Sequence, residues 1–151
     1  ESSAASDVYK RQGQVCTSDH FCLGAAEMHL TPEGKKDPLL SVYDGHRGIH
    51  FNNDVAVVLP EDAVLLARDP TGQIEAVRFA ERAWGVQFHP ECTPEIFDAW
   101  TIGHGEKEWQ QRLPWSEAVT VAETVRRDID TVNAEEAFAA RFQELIDPEK
   151  R

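Results

Sequence analysis

His89 and Glu91, two residues apart, have the types and spacing for acid–base chemistry. An imidazole with a carboxylate close behind it is the base-and-orienter half of a nucleophilic triad. The acid fixes the tautomer and steadies the imidazolium, and the imidazole takes a proton from a nucleophile. A structural histidine at a strand end fits the same spacing, because His and Glu are common in loops. The nucleophile itself would be a Cys or Ser exposed on a sharp strand-to-helix turn. Phe21-Cys22-Leu23-Gly24 has the x-C-x-G order of such a turn. Three features count against it: His20 stands where a small residue is needed, Thr17-Ser18-Asp19-His20 is polar where an apolar strand should lead in, and Glu27 to Thr31 alternates like a strand, with Pro32 soon after. Cys22 is kept as a candidate on its x-C-x-G order alone, and Cys16 has less of the pattern.

The elements around His89 can be read from periodicity. Trp84 to Phe88 is apolar except for Gln87, the pattern of a strand buried on both faces, and Pro90 stops it so that His89 falls at its carboxyl end. Ala63–Arg68 and Ile74–Phe79 are strand-like, with a turn at Asp69-Pro70-Thr71-Gly72. Closely spaced strands without helices between them predict an antiparallel flap feeding the strand that ends at His89. Beyond Glu91, Thr93 is an N-cap candidate, Pro94 suits the first helical position, and Ile96, Phe97 and Trp100 make an apolar face. Gly103-His104-Gly105 ends that helix, with His104 read as a solvated loop residue. Trp109, Leu113, Pro114 and Trp115 form an aromatic linker expected to pack on the domain. Phe138, Phe142, Leu145 and Ile146 recur at i, i+4, i+7 and i+8, a stripe expected to face a core.

Gly85-Val86-Gln87-Phe88-His89-Pro90-Glu91 resembles the G-x-Q-F-H-P-E signature of class I glutamine amidotransferases, whose His and Glu complete a Cys-His-Glu triad. The flanks agree as well: Arg78-Phe79 and Glu81-Arg82-Ala83-Trp84 before it, Thr93-Pro94-Glu95 and Trp100 after it. The resemblance, to GMP-synthase-like stand-alone members, runs from about Gly13 to about Trp100. It implies an α/β fold: the C-terminal half of a flavodoxin-like open sheet, with an antiparallel flap and C-terminal helices. It also implies glutamine hydrolysis, in which a cysteine thiolate attacks the side-chain amide and His89, held by Glu91, carries the proton to departing ammonia. The ammonia would pass to a synthetase or other acceptor, as a domain or a subunit, with no cofactor.

Within that resemblance Gly13-Gln14-Val15 falls just behind the elbow's helix, and Gly24 to Thr31 followed by Asp37-Pro38-Leu39-Leu40 corresponds to a later strand and short turn. Cys22 to His89 is shorter than the family's usual nucleophile-to-base span, so the nucleophile is expected upstream of this chain. Ile49 to Asp54 compares with a second histidine segment, H-x-H-x-D, near the substrate pocket. His50 and Asp54 fit it as substrate-binding residues, while Asn52 replaces the inner His and cannot titrate near neutrality. A turn rich in Asn and Asp between two strands accounts equally for those residues. Two other readings are a γ-glutamyl peptidase or hydrolase of the same fold, and a non-catalytic binding module that kept His89 and Glu91 as structural residues.

Residues 1–12 stand apart: Ser2 to Gln12 back-translate codon for codon into a transposase adapter used to prepare sequencing libraries. They are read as an artefactual leader. Residues 13–115 are then a partial amidotransferase domain and 116–151 a helical segment packing on it. A length of 151 residues suits one domain. The net charge of −12 opposes binding to phosphate backbones, which excludes nucleic acid as an expected partner. No apolar run approaches a membrane span. Three cysteines without C-x-x-C spacing argue against a disulfide framework or a zinc site and for a reducing, cytoplasmic setting. Without a nucleophile and the opening strands, the chain is expected to be inactive and poorly stable, with Val86 and Phe88 partly uncovered.

Overall fold

The computed structural model describes residues 13–109, 112–132 and 134–147; the leader expectation lies outside these. Strand β1 (Gln14–Glu27) is followed by β2 (His29–Leu30), helix α1 (Pro32–Lys36) and a 3-10 turn at Leu40–Tyr43. Then come β3 (Arg47–Val58), β4 (Val64–Arg68), β5 (Ile74–Ala80) and β6 (Ala83–Val86). Helices α2 (Pro94–Trp100), α3 (Glu106–Trp109), α4 (Trp115–Val132) and α5 (Glu135–Ile146) close the chain. The strands form a two-stranded sheet, β1-β3, and a four-stranded sheet in the order β2-β4-β5-β6. Every ladder among the described residues is antiparallel, so the expected flap is present and forms the larger sheet.

Two local expectations change. Asn52-Asn53-Asp54 forms no turn but continues β3, with Cys22 opposite Asn52 and Thr17 opposite Asp54. A register shift between Thr17 and Cys22 absorbs the irregularity. The polar side chains that would favour a turn bond along the strand instead: Asn52 Nδ2 donates to Asp54 O at 3.0 Å, and Thr17 Oγ1 donates to Asp54 Oδ1 at 2.9 Å, while the buried Asn52 Oδ1 has no hydrogen-bond partner among the described residues. Thr31-Pro32, meanwhile, starts a helix. Thr31 Oγ1 accepts from Gly34 N at 3.0 Å, the N-cap bond, and Pro32 occupies a position that has no helical N–H partner to lose. Gly34 is required there, because a Cβ would lie 2.0 Å from the Leu66 carbonyl oxygen.

Two apolar cores result. One gathers Met28, Leu39, Leu40, Tyr43, Leu66 and Phe88, with Phe138 and Leu145 of α5 packed against it. The other gathers Ile49, Cys92, Phe97, Ala122 and Val125, joining β3, α2 and α4. Phe88 is 2 % exposed, against the expectation that it is uncovered: its ring meets Tyr43 at 4.6 Å and Phe138 at 6.1 Å between centroids, so α5 takes part in closing that face. The stripe on α5 is correspondingly split, since Phe142 and Ile146 are 43 % and 46 % exposed. Among the described residues β6 pairs only with β5, and it is largely half-buried rather than enclosed on both faces. Where the short turn was expected, the buried Asp37 accepts from the Leu39 and Leu40 amides at 2.9 Å and from Trp84 Nε1 at 3.1 Å, with Arg78 Nε at 3.2 Å. That carboxylate ties the 3-10 turn to β5 and β6.

Candidate active site

The segment from Phe88 to Cys92 is held at both ends. Phe88 is anchored in the first core and Cys92, with no exposed surface, in the second. Gly48 lets β3 pass beneath it, because a Cβ there would come within 2.8 Å of Phe88 Cβ. On either side of Phe88 the backbone hydrogen-bonds outward to both sheets: Gln87 N donates to Glu75 O at 2.9 Å and His89 N to Ile49 O at 2.8 Å. The chain then turns through Cys92 N donating to His89 O at 3.2 Å and enters α2 as the sequence predicts, with Thr93 Oγ1 accepting from Ile96 N at 3.3 Å.

The pair so positioned is short: His89 Nδ1 lies 2.7 Å from Glu91 Oε1. A carboxylate only accepts, so Nδ1 carries a proton, and in the neutral imidazole it is Nε2 that keeps the lone pair a general base needs. The two side chains are 29 % and 58 % exposed, open enough to meet a reactant. The Trp100 ring packs against the imidazole in a T-shaped contact, 4.7 Å between centroids, and limits its rotation.

The other residues marked by the sequence lie apart from this pair or behind it. His50, opposite Gly24 on β3, is 4 % exposed, and its Nδ1 stands 3.5 Å from Glu75 Oε2 on β5. Burial, helped by the neighbouring His89, pushes the His50 imidazole down to about 4, although Asp69 and Asn52 oppose it. Burial with the Asp69 charge pushes the Glu75 carboxyl up to about 8. Near neutral pH this pair is therefore uncharged, and among the described residues His50 Nε2 and Glu75 Oε2 make no hydrogen bond. Sequence reasoning missed Glu75; its one signal was an acid inside the otherwise apolar start of β5, Ile74-Glu75-Ala76-Val77.

Asp54 is exposed on the outer half of β3, where its carbonyl also accepts from Gln87 Nε2 at 2.6 Å. Cys22 lies within strand β1, which runs on to Glu27 with no helix directly after the cysteine, and its Sγ donates to Gln73 Oε1 at 3.5 Å. Burial pushes its thiol pKa up, away from the thiolate a nucleophile needs. Cys92, beside Glu91, is raised to about 12 by burial and stays a thiol; Cys16 is exposed on β1. Among the described residues no group of His, Cys, Asp or Glu has the arrangement of a metal site, and no helix is long and apolar enough to cross a membrane.

No family model matches the chain. Over 66 residues, 43 % of this chain and 11 % of the relative, it is 41 % identical to a GMP synthase [glutamine-hydrolyzing] of Hahella chejuensis. The structure resembles a glutamine amidotransferase of Thermotoga maritima (TM-score 0.66, 15 % identity), covering 88 % of this chain and 54 % of that one. It also resembles a glutamine amidotransferase of Methylobacillus flagellatus (TM-score 0.67, 19 % identity), covering 89 % and 56 %. The chain has the class I glutamine amidotransferase fold over the part it spans. That part is about half the length of these two solved amidotransferases. The signature that suggested the family thus sits on an amidotransferase-like framework, at the junction of its two cores.

Proposed function

We propose that this amidotransferase-like chain carries the base and orienter of a glutamine-hydrolysing site, His89 and Glu91, and works with a cysteine supplied by sequence upstream of it. The observation that supports this most is the 2.7 Å contact from His89 Nδ1 to Glu91 Oε1. It presents Nε2 as a base on a fold shared with glutamine amidotransferases. In the reaction the thiolate attacks the side-chain amide carbon, His89 delivers a proton to the departing ammonia, and water releases glutamate from the thioester. The ammonia passes to a synthetase domain or subunit in the cytoplasm. Asp54, open to solvent, belongs to the glutamine-binding face. The buried His50 acts from behind it.

The test joins this chain to an upstream segment ending in a strand with a G-x-C-x-G elbow and measures glutamine-dependent ammonia release. His89→Ala should abolish turnover, and Glu91→Ala should lower it less severely. Equal, small effects of the two substitutions would remove His89 from the mechanism. A cooperative thermal melt with ammonia release from the present chain alone would overturn the upstream-cysteine reading.

A further inference from the structure

Trp100 has a second neighbour besides His89. With Phe51, His104, Trp109 and Arg112 it lines a cavity of about 130 Å³, which therefore lies one indole ring away from the candidate base. The walls are fixed. Trp109 is 2 % exposed and its Nε1 donates to Thr101 O at 2.8 Å, while Phe51 meets Trp100 at 5.4 Å and Trp109 at 5.8 Å between centroids. Arg112 is placed over these rings. Its guanidinium carbon is 5.2 Å from the centroid of Phe21 and 5.7 Å from those of Phe51 and Trp109. Three ring contacts in the cation–π range hold the guanidinium.

In a chain with 27 acidic side chains, Arg112 makes no ion pair among the described residues, whereas Arg78, Arg126 and Arg141 each do. His104 is exposed at the same cavity, on a 3-10 turn (Ile102–His104), and a ring nitrogen can donate there. A prepositioned guanidinium fork, a second donor and aromatic walls suit a carboxylate on a short apolar stem.

We propose that this cavity is a carboxylate subsite, taking the α-carboxylate of an amino-acid substrate whose far end reaches His89. Arg112 is its principal ligand and His104 the second. The identity of that substrate as glutamine rests on the function proposed above; the carboxylate chemistry does not.

The test is a titration of the whole chain with L-glutamate, read by the ¹⁵N–¹H signals of its four tryptophan indoles. Saturable shifts should appear at Trp100 and Trp109, with Trp84 and Trp115 unchanged. Arg112→Gln should weaken binding tenfold or more, and His104→Ala severalfold. Arg112→Lys, which keeps the charge but loses the fork, should weaken it by an intermediate amount and supplies a second variant if Arg112→Gln melts early. No saturable shift, an undiminished affinity in both Arg112 variants, or equal affinity for inorganic phosphate would overturn the assignment. No turnover is involved, so Arg112-dependent glutamate binding in a completed protein that releases no ammonia would refute the glutaminase reading and leave the subsite standing. Turnover with a KM indifferent to Arg112 would do the reverse.

Discussion

His89–Glu91 and His50–Glu75 are made of the same two side chains under opposite solvation. The first pair is local in sequence, partly exposed and closed to 2.7 Å; the second joins β3 to β5, is 5 % and 3 % exposed, and stands at 3.5 Å. The difference follows from what positions each. Two residues apart in a loop, an imidazole and a carboxylate adjust their side-chain torsions until the hydrogen bond is short. On two strands whose registers are set by separate ladders, β3 to β1 and β5 to β4 and β6, the separation is fixed by the backbone. Burial then removes the charges that would have drawn the second pair together. The exposed pair is suited to moving a proton, while the buried one is a polar inclusion whose protonation is tied to folding.

The largest expected effect breaks the exposed pair. In a completed enzyme His89→Ala should lower kcat by on the order of 10⁴ or more, while Glu91→Ala should cost less because water can replace part of an exposed orienter's role. A steady-state ammonia assay reads both. Breaking the buried pair should leave a different signature. Glu75→Ala opens a hole beside the His50 ring, which should cost on the order of 2 kcal/mol in a urea melt. Glu75→Leu, filling the space with an apolar group, should recover much of that loss. A loss of the same size in both would mean that the pair contributes more than packing.

The pH dependence sharpens the contrast. Glu75, raised by burial to about 8 from 4.5, contributes stability that is complete below 4.5 and is lost as pH rises through 8. His50, lowered to about 4 from 6.5, contributes stability that is complete above 6.5 and is lost as pH falls through 4. Between 4.5 and 6.5 the two slopes have opposite sign and cancel. From 6.5 to 8 only Glu75 changes, so the folded state should lose on the order of 2 kcal/mol across that interval. Thermal melts at several pH values check this, and Glu75→Gln should flatten the slope. The smallest effect concerns the boundary of the exposed pair. Cys92, adjacent to Glu91 and held as a thiol near 12, should react with a thiol reagent only at the rate of unfolding, whereas Cys16 reacts at once. Rapid modification of Cys92 would mean that the segment carrying His89 opens in the native state.

What the sequence determined by itself was local. The cap at Thr93 with Pro94, the three flap strands, the turn at Asp69–Gly72 and the His89–Glu91 spacing all depend on residues within a few positions of one another, so their signals survive in one dimension. What only the tertiary structure decided depends on partners far along the chain. Asn52–Asp54 became strand because β1 lies opposite. The α5 stripe was split because the first core, with Tyr43 and Phe88 against Phe138, takes up Phe138 and Leu145 and leaves Phe142 and Ile146 exposed. Glu75 was hidden because a buried acid is recognisable only through the burial that changes its protonation. Arg112 meets the aromatic cavity because α3 turns Trp109 into the core, where β1 and β3 bring Phe21 and Phe51 beside it. Such contacts are set by packing and register between distant segments, and the spacing of residues along a single segment holds no record of them.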